Sequence, residues 1–397
     1  MSGAARSPGV RPRFPLFDSL RAIAALAIFG YHLAFTFGWF SGEPLSPWFA
    51  QLNVGVPIFF VISGFLLYRP FVRARVLGTP RPALAPYALR RFLRIVPAYW
   101  VALALIAVWL GETSEVFSPG GVLTYFGFAQ SYRVDTFADG IGQAWTLNVE
   151  ILFYALLPLW AWLAAHVVRA RPVGGELGAL VLLVAVGVGW KVVLLLATSP
   201  QDRGAVVAIA ALPGWLDVFA VGMAIAVVSV WAHERRGRHP VIEQLDRRPW
   251  IAWAVALGAF ALLGVTDELG DRSAQLLVEH GLKALVAAGL VLPAVFGDPA
   301  RGWVRRILGA PPLLWIGLVS YGFYLWHVAV IDKLARAGLR GEVGWLGLSA
   351  AALAGSLAIA AVSWYLLERP ILRLGRRLAG PTAQTRTLEE DRAAIVR

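Results

Sequence analysis

The chain has no cysteine, and charged residues make up only 15% of its 397 positions. Without cysteine it can form neither a disulfide nor an acyl-enzyme on a thiol. A typical soluble domain is about 25% charged and 45 to 50% apolar, whereas this chain is 58% apolar. The composition therefore excludes an ordinary soluble domain and indicates a membrane protein.

Acidic residues are also scarce, with 24 against 36 basic ones and a net charge of +12. The arginines lie between apolar runs and form no soluble basic domain with interleaved aromatic residues, so we expect no nucleic-acid partner. The first apolar run follows Arg6, Arg11 and Arg13 and lacks a small-residue cleavage site. It is therefore predicted to stay as a membrane span rather than to be removed as a signal peptide.

Apolar runs long enough to cross a bilayer recur along most of the chain. They predict an all-α, polytopic integral membrane protein with about ten transmembrane helices embedded in a lipid bilayer. The predicted spans lie at about 17–37, 54–68, 95–110, 145–166, 177–197, 208–231, 250–266, 276–296, 312–332 and 344–367. No fixed-period repeat or long linker divides them, so we expect one membrane domain.

The distribution of lysine and arginine predicts the orientation of these spans. Most of these residues fall in segments that lie on one side, which puts both termini in the cytoplasm and the protein in the cytoplasmic membrane. The semi-apolar segment 120–132 is taken as an outer or re-entrant piece, because an eleventh span would place five arginines near 235–248 outside. The predicted parts are a cytoplasmic tail (1–16), a membrane domain (17–370) and a partly disordered cytoplasmic tail (371–397).

Arg21 and His32 stand out in the first span, eleven residues apart. Eleven residues are about three helical turns, so both side chains share a face and are about 16 Å apart along the axis. Ionisable residues within a span are costly and commonly mark a pathway or a site. Asp18, three residues before Arg21, is on the same face and is a candidate counter-ion.

Other ionisable residues are predicted at the depth of His32, in the outer half of the membrane. Glu150 follows the outer start of the fourth span, His327 precedes the outer end of the ninth, and Asp217 lies slightly deeper in the sixth. A carboxylate beside a histidine is a common general-base arrangement. We therefore expect His32 to act as a base oriented by Glu150; hydrogen bonding for helix packing is the alternative, and the sequence does not say which helices are neighbours.

A cytoplasmic segment from Arg69 to Arg94 carries seven arginines and no acidic residue. Arg90, Arg91 and Arg94 lie within one turn of each other at the foot of the third span. Guanidinium groups suit phosphate oxygens, although arginines in cytoplasmic loops also set topology. Elsewhere, Lys191 is expected to extend to the outer surface, and Asp217 with Lys283 could form either a buried ion pair or part of a site.

Several segments together are similar to one known family. They are FDSLRAIAALAIFGYHLAF, GVPIFFVISGFLLYRP, RRFLRIVPAYW, QAWTLNVEILFYALLP, SYGFYLWH and SWYLLERP, in this order from residue 17 to about 370. By these segments the chain resembles the acyltransferase 3 family of integral-membrane O-acyltransferases. It differs slightly in WTLNVE, where threonine stands in place of a frequent serine.

The resemblance implies transfer of an acyl group, usually acetyl, from a coenzyme A thioester to a hydroxyl of a carbohydrate or glycosylated small molecule. It implies that Arg21, His32 and Glu150 are catalytic, and that Arg90, Arg91 and Arg94 with Arg21 bind the acyl-CoA; no metal is expected. The chain is expected to be a stand-alone member without the extracytoplasmic hydrolase-like domain of many relatives. A later transfer step would then need a separate extracytoplasmic partner.

Together these patterns suggest a path from cytoplasm to the outer layer. Acyl-CoA would bind at the arginines, extend past Arg21 and present its thioester to His32, which acts as general base or carries the acyl group itself. The alternative from another class is a secondary transporter that uses the buried His, Glu and Asp residues as a proton or substrate site, although no paired inverted repeat is evident. A non-catalytic membrane scaffold is the third interpretation.

Overall fold

The structure is a computed structural model and describes residues 14–38, 44–167, 172–234, 239–338 and 340–378. Ten long helices occur in these ranges: α1 (Leu16–Thr36), α2 (Gly55–Val76), α3 (Leu84–Leu110), α4 (Trp145–Val167), α5 (Pro172–Ala197), α6 (Leu216–Glu234), α7 (Trp250–Leu263), α8 (Arg272–Val295), α9 (Pro311–Arg336) and α10 (Arg340–Ser363). A π-turn at Trp364–Glu368 joins α10 to α11 (Arg369–Leu378).

Short helices and turns connect the long ones. The α-helical pieces are Ser46–Ala50, Thr113–Val116, Pro119–Gly121, Arg203–Ala210, Pro240–Arg247 and Trp303–Leu308. The 3₁₀ turns are Gln51–Val54, Gln130–Tyr132, Gly142–Ala144, Leu212–Trp215 and Thr266–Leu269, and a further π-turn is Val122–Phe126. No strand occurs in the described ranges, so the all-α prediction is confirmed for them.

Nine helical segments of the described chain are long and apolar enough to cross a membrane. They coincide with nine of the ten predicted spans, and the protein is a multi-pass membrane protein. The exception is the predicted seventh span, 250–266, where α7 has only 14 residues. Such a helix is about 21 Å long, less than the roughly 30 Å hydrocarbon core of a bilayer, and it packs against α8.

Two boundary predictions can be compared with the described residues. Residues 119–132 form short helical turns rather than a span, as the charge distribution predicted. Helix α11 extends the chain's helical part to Leu378, past the predicted end of the membrane domain at 370. The tail residues 1–13 and 379–397 lie outside the described ranges, so both predicted tails are mostly outside them.

Helix α1 packs along α9, and α2 packs along α6. Glycines allow these close approaches, as is usual between membrane helices. A Cβ at Gly317 of α9 would lie 1.7 Å from the carbonyl oxygen of Asp18, and one at Gly64 of α2 would lie 2.4 Å from that of Phe219. The end of α1 that carries Asp18 and Arg21 is therefore held directly against α9.

Candidate active site

A cavity lies among helices α1, α2, α3, α4 and α9. The residues of its wall that carry charges or hydroxyls in the argument below are Arg21, Ser63, Arg91, Arg94, Glu150, Tyr154, Tyr321 and Tyr324. The cavity thus brings together four of the predicted site residues, Arg21, Arg91, Arg94 and Glu150. Arg90 is next to Arg91 on α3 but is not part of the cavity wall.

Two of the three cavity arginines have acidic partners. Arg21 Nη1 lies 2.7 Å from Asp18 Oδ1, which confirms the predicted pair on α1. Arg94 Nη1 lies 3.7 Å from Glu368 Oε2, and its guanidinium is 5.5 Å from the centre of the Tyr321 ring. Glu368 is buried, and its Oε1 accepts a hydrogen bond from Ser363 Oγ.

The third arginine, Arg91, keeps hydrogen-bonding capacity. Its guanidinium lies 5.6 Å from the centre of the Tyr154 ring, and its buried Nε has no hydrogen-bond partner among the described residues. A buried donor without an acceptor costs about 1 to 3 kcal/mol, more for a charged group, so the guanidinium of Arg91 is incompletely paired among the described residues.

Glu150 lies in the cavity wall but has other partners than predicted. Its Oε1 accepts a hydrogen bond of 2.5 Å from Ser63 Oγ of α2. The expectation that Glu150 orients His32 is not met, because the hydrogen bond of the His32 ring goes to another residue. The sequence places Glu150 at a depth, but only the packing decides which side chains it reaches.

The partner of His32 is His327 on α9. His32 Nδ1 lies 2.9 Å from His327 Nε2. His327 is fully buried, and its ring stacks on that of Phe323 with centroids 5.8 Å apart. His327 therefore occupies the position beside His32 that was expected for Glu150.

The histidine pair lies just beyond the cavity. Ile28 and Tyr324 belong to the cavity wall. Ile28 precedes His32 by four residues on α1, and Tyr324 precedes His327 by three on α9, so each histidine is about one helical turn from the wall. The cavity thus extends from the arginines at the foot of α3 to within a turn of the imidazoles.

Another group of buried charges forms a separate network among α5, α6 and α8. Lys191 Nζ lies 2.8 Å from Asp217 Oδ2 and 2.9 Å from His280 Nε2, while Lys283 pairs with Glu279 at 3.1 Å. The suggested pair of Asp217 with Lys283 is therefore wrong. Lys191 is buried and does not extend to the surface, because Asp217 neutralises it inside.

Comparisons with known proteins agree with this arrangement of residues. The family model described as the acyltransferase domain (Acyl_transf_3) matches residues 15–367, which include every residue of the cavity and the histidine pair except Glu368. The chain belongs to the acyltransferase 3 family. No solved structure matches this acyltransferase 3 chain.

Three relatives illustrate its similarity to named acyltransferase 3 proteins. The exopolysaccharide production protein ExoZ of Rhizobium meliloti (strain 1021) is 31% identical, over 81% of this chain and 90% of that protein. Nodulation protein 10 of Rhizobium leguminosarum bv. viciae is 27% identical, over 90% and 93%. The peptidoglycan O-acetyltransferase OatA of Listeria monocytogenes is 25% identical over 92% of this chain, which spans only 57% of that longer protein.

The sequence predicted no catalytic or binding role for three residues of the site in this acyltransferase 3 protein. Ser63, His327 and Glu368 all lie in segments that carry the family resemblance, GVPIFFVISGFLLYRP, SYGFYLWH and SWYLLERP. The segments were visible, but their partners were not, because each contact joins residues far apart in the chain. His327 was predicted at the correct depth, with packing as its expected role.

Proposed function

We propose that the protein is a membrane O-acyltransferase of the cytoplasmic membrane that transfers an acyl group, with acetyl as the first candidate, from acyl-CoA to a hydroxyl of a carbohydrate or glycosylated acceptor. One observation carries the proposal: a single cavity has arginines at one end and a histidine pair within one turn of the other. The printed names of ExoZ and OatA, which concern exopolysaccharide and peptidoglycan, support a saccharide acceptor.

The arginine end is the proposed donor site. Arg21, Arg91 and Arg94 form one wall, and Arg90 stands next to them at the cytoplasmic mouth. Phosphate oxygens of acyl-CoA would accept hydrogen bonds from these forked donors. The pantetheine arm would follow the cavity past Arg21 and bring the thioester to the histidines.

His32 is the proposed general base. The acceptor hydroxyl gives its proton to the imidazole, its oxygen forms a bond to the thioester carbonyl carbon, and the carbon–sulfur bond then breaks. The CoA thiolate leaves and takes the proton from the imidazolium, so His32 ends as it began. In the alternative route the imidazole takes the acyl group first and passes it to the hydroxyl; detection of an acylated His32 peptide by mass spectrometry distinguishes the two.

Glu150 has a different proposed role from orienting His32. It is the carboxylate of a wall that otherwise carries guanidinium groups, and it accepts a hydrogen bond from the Ser63 hydroxyl. It would balance the charge of the arginines and keep this hydroxyl in place as the donor enters. We retain Arg21, His32 and Glu150 as the residues required for transfer, within a membrane domain of residues 17–370.

The test is release of CoA thiol from acetyl-CoA by the purified protein in lipid nanodiscs, with oligomers of N-acetylglucosamine as acceptor probe. We expect His32→Ala to lower the rate by about 100-fold or more, the scale of a general base, while the exposed His166→Ala on α4 keeps it. An active His32→Ala would contradict the proposal. Uptake of a solute by vesicles without CoA, and no thiol release, would favour the transporter, and neither response would favour the scaffold.

A further inference from the structure

The position of one proton in the histidine pair follows from backbone contacts. His327 Nδ1 lies 2.9 Å from the carbonyl oxygen of Tyr324 and 3.1 Å from that of Phe323. A carbonyl oxygen can only accept a hydrogen bond, so Nδ1 of His327 carries a proton. In the neutral ring the other nitrogen, Nε2, then has a lone pair and can only accept.

The state of His32 follows from that of His327. Because His327 Nε2 is an acceptor, the 2.9 Å contact requires that His32 Nδ1 carries a proton and donates it. The neutral His32 therefore has its lone pair on Nε2.

We propose that His327 is a positioning residue that holds His32 in the tautomer with an unprotonated Nε2. The catalytic consequence rests on the function proposed above, since Nε2 is then the atom that takes the hydroxyl proton. His327 itself touches neither donor nor acceptor in this scheme. It acts as the third group does in a nucleophile–base–orienter arrangement, with a neutral imidazole in place of a carboxylate.

Three features fit His327 for this role. It is fully buried, so water does not compete for its Nε2. Its ring stacks on Phe323, and the Phe29 ring of α1 is 6.4 Å away, which restricts the His327 ring. When His32 becomes an imidazolium during transfer, its Nδ1 proton still points at the lone pair on His327 Nε2. The positively charged ring therefore still has a hydrogen-bond acceptor.

The direct test is the protonation of the ring nitrogens, which needs no turnover. The wild-type protein, labelled with ¹⁵N-histidine and held in nanodiscs at neutral pH, gives ring-nitrogen NMR signals, and those of His32 are assigned by their loss in His32→Gln. We expect a protonated Nδ1 and an unprotonated Nε2 for His32. A protonated Nε2 in the neutral wild-type ring overturns the proposal.

Two variants distinguish the hydrogen-bond acceptor that His327 supplies from the volume that its side chain fills. In His327→Gln the amide oxygen can take the place of Nε2 as acceptor, whereas His327→Leu fills the space without one. We expect the Gln variant to keep kcat within about tenfold and the Leu variant to lose about 100-fold or more, with the KM for acetyl-CoA unchanged in both. His166→Leu is the control for removal of a histidine.

The outcomes distinguish this inference from the proposed function. Equal kcat in the wild type and in His327→Leu, or equal losses in the Leu and Gln variants, contradict the positioning role. If His327→Leu does not fold, the NMR result on the wild type still decides. An unprotonated Nε2 together with no thioester turnover by the wild type would support the positioning role and refute the proposed acyl transfer.

Discussion

The guanidinium of Arg94 lies 3.7 Å from the carboxylate of Glu368, and this contact joins the foot of α3 to the π-turn between α10 and α11. Glu368 is buried, so its charge has left water, and Arg94 is the cation that faces it. A charge partner at this position holds one of the proposed phosphate-binding arginines against the last helices of the membrane domain.

Removing the charge of Glu368 is expected to weaken both the fold and donor binding. Arg94→Gln should lower the stability by about 3 kcal/mol, because it leaves the buried Glu368 carboxylate without its cation. Glu368→Gln should cost less, because the Arg94 side chain is 27% exposed. The double variant should lose less than the sum of the two, and thermal unfolding of all four proteins in nanodiscs measures the coupling. Strictly additive losses would mean that the two groups do not interact.

Arg91 is expected to affect acyl-CoA binding rather than the fold, because its Nε has no partner among the described residues. Arg91→Ala should raise the KM for acetyl-CoA about tenfold, which corresponds to about 1.4 kcal/mol, within the range for a hydrogen bond to a charged group. Initial rates at varied acetyl-CoA measure this. Arg81→Ala, in the segment between α2 and α3 and exposed, should leave KM unchanged, and an equal rise in both variants would point to general surface charge.

The Lys191–Asp217 pair is expected to stabilise the fold without taking part in transfer. Asp217→Ala should lower the stability by about 3 to 5 kcal/mol, since it leaves the Lys191 ammonium buried without a counter-ion. Adding Lys191→Met should restore part of that loss, as measured by thermal unfolding. The folded fraction should transfer acyl groups at the wild-type rate, and a loss of rate at unchanged stability would instead assign Asp217 to a site.

The close approach at Gly317 gives a test of the packing between α1 and α9. A Cβ there would meet the Asp18 carbonyl oxygen at 1.7 Å, so Gly317→Ala should destabilise the protein by about 3 kcal/mol, as overpacking commonly does. Gly258→Ala on α7, where no atom lies within 4 Å of the added Cβ, should be neutral or slightly stabilising. Yield of folded protein and thermal unfolding compare the two, and similar values for both would argue against the tight contact.

Depth and helix face were predictable from the sequence. The eleven-residue spacing put Arg21 and His32 on one side of α1, and the three-residue spacing predicted the Asp18–Arg21 pair, which is found at 2.7 Å. Both results depend on the geometry of a single helix, which apolar periodicity and residue spacing define. The positions of nine spans were predictable for the same reason.

Neighbour relations between helices were not predictable. His32 and Glu150 share the outer half of the predicted topology, yet His32 bonds to His327 and Glu150 to Ser63. Lys191 was expected to extend to the surface and instead meets Asp217. Each of these outcomes depends on which helix lies beside which, and that is decided by glycine contacts such as Gly317 against Asp18, which a single sequence does not display.

The proton of His327 is held by the carbonyl oxygens of residues 323 and 324, and these oxygens belong to the main chain. Every amino acid supplies the same carbonyl oxygen at these positions as long as α9 stays helical. No exchange of side chain can therefore remove the acceptors. The protein can therefore vary the walls around the imidazoles, and with them the molecules it accepts, without altering where that proton resides.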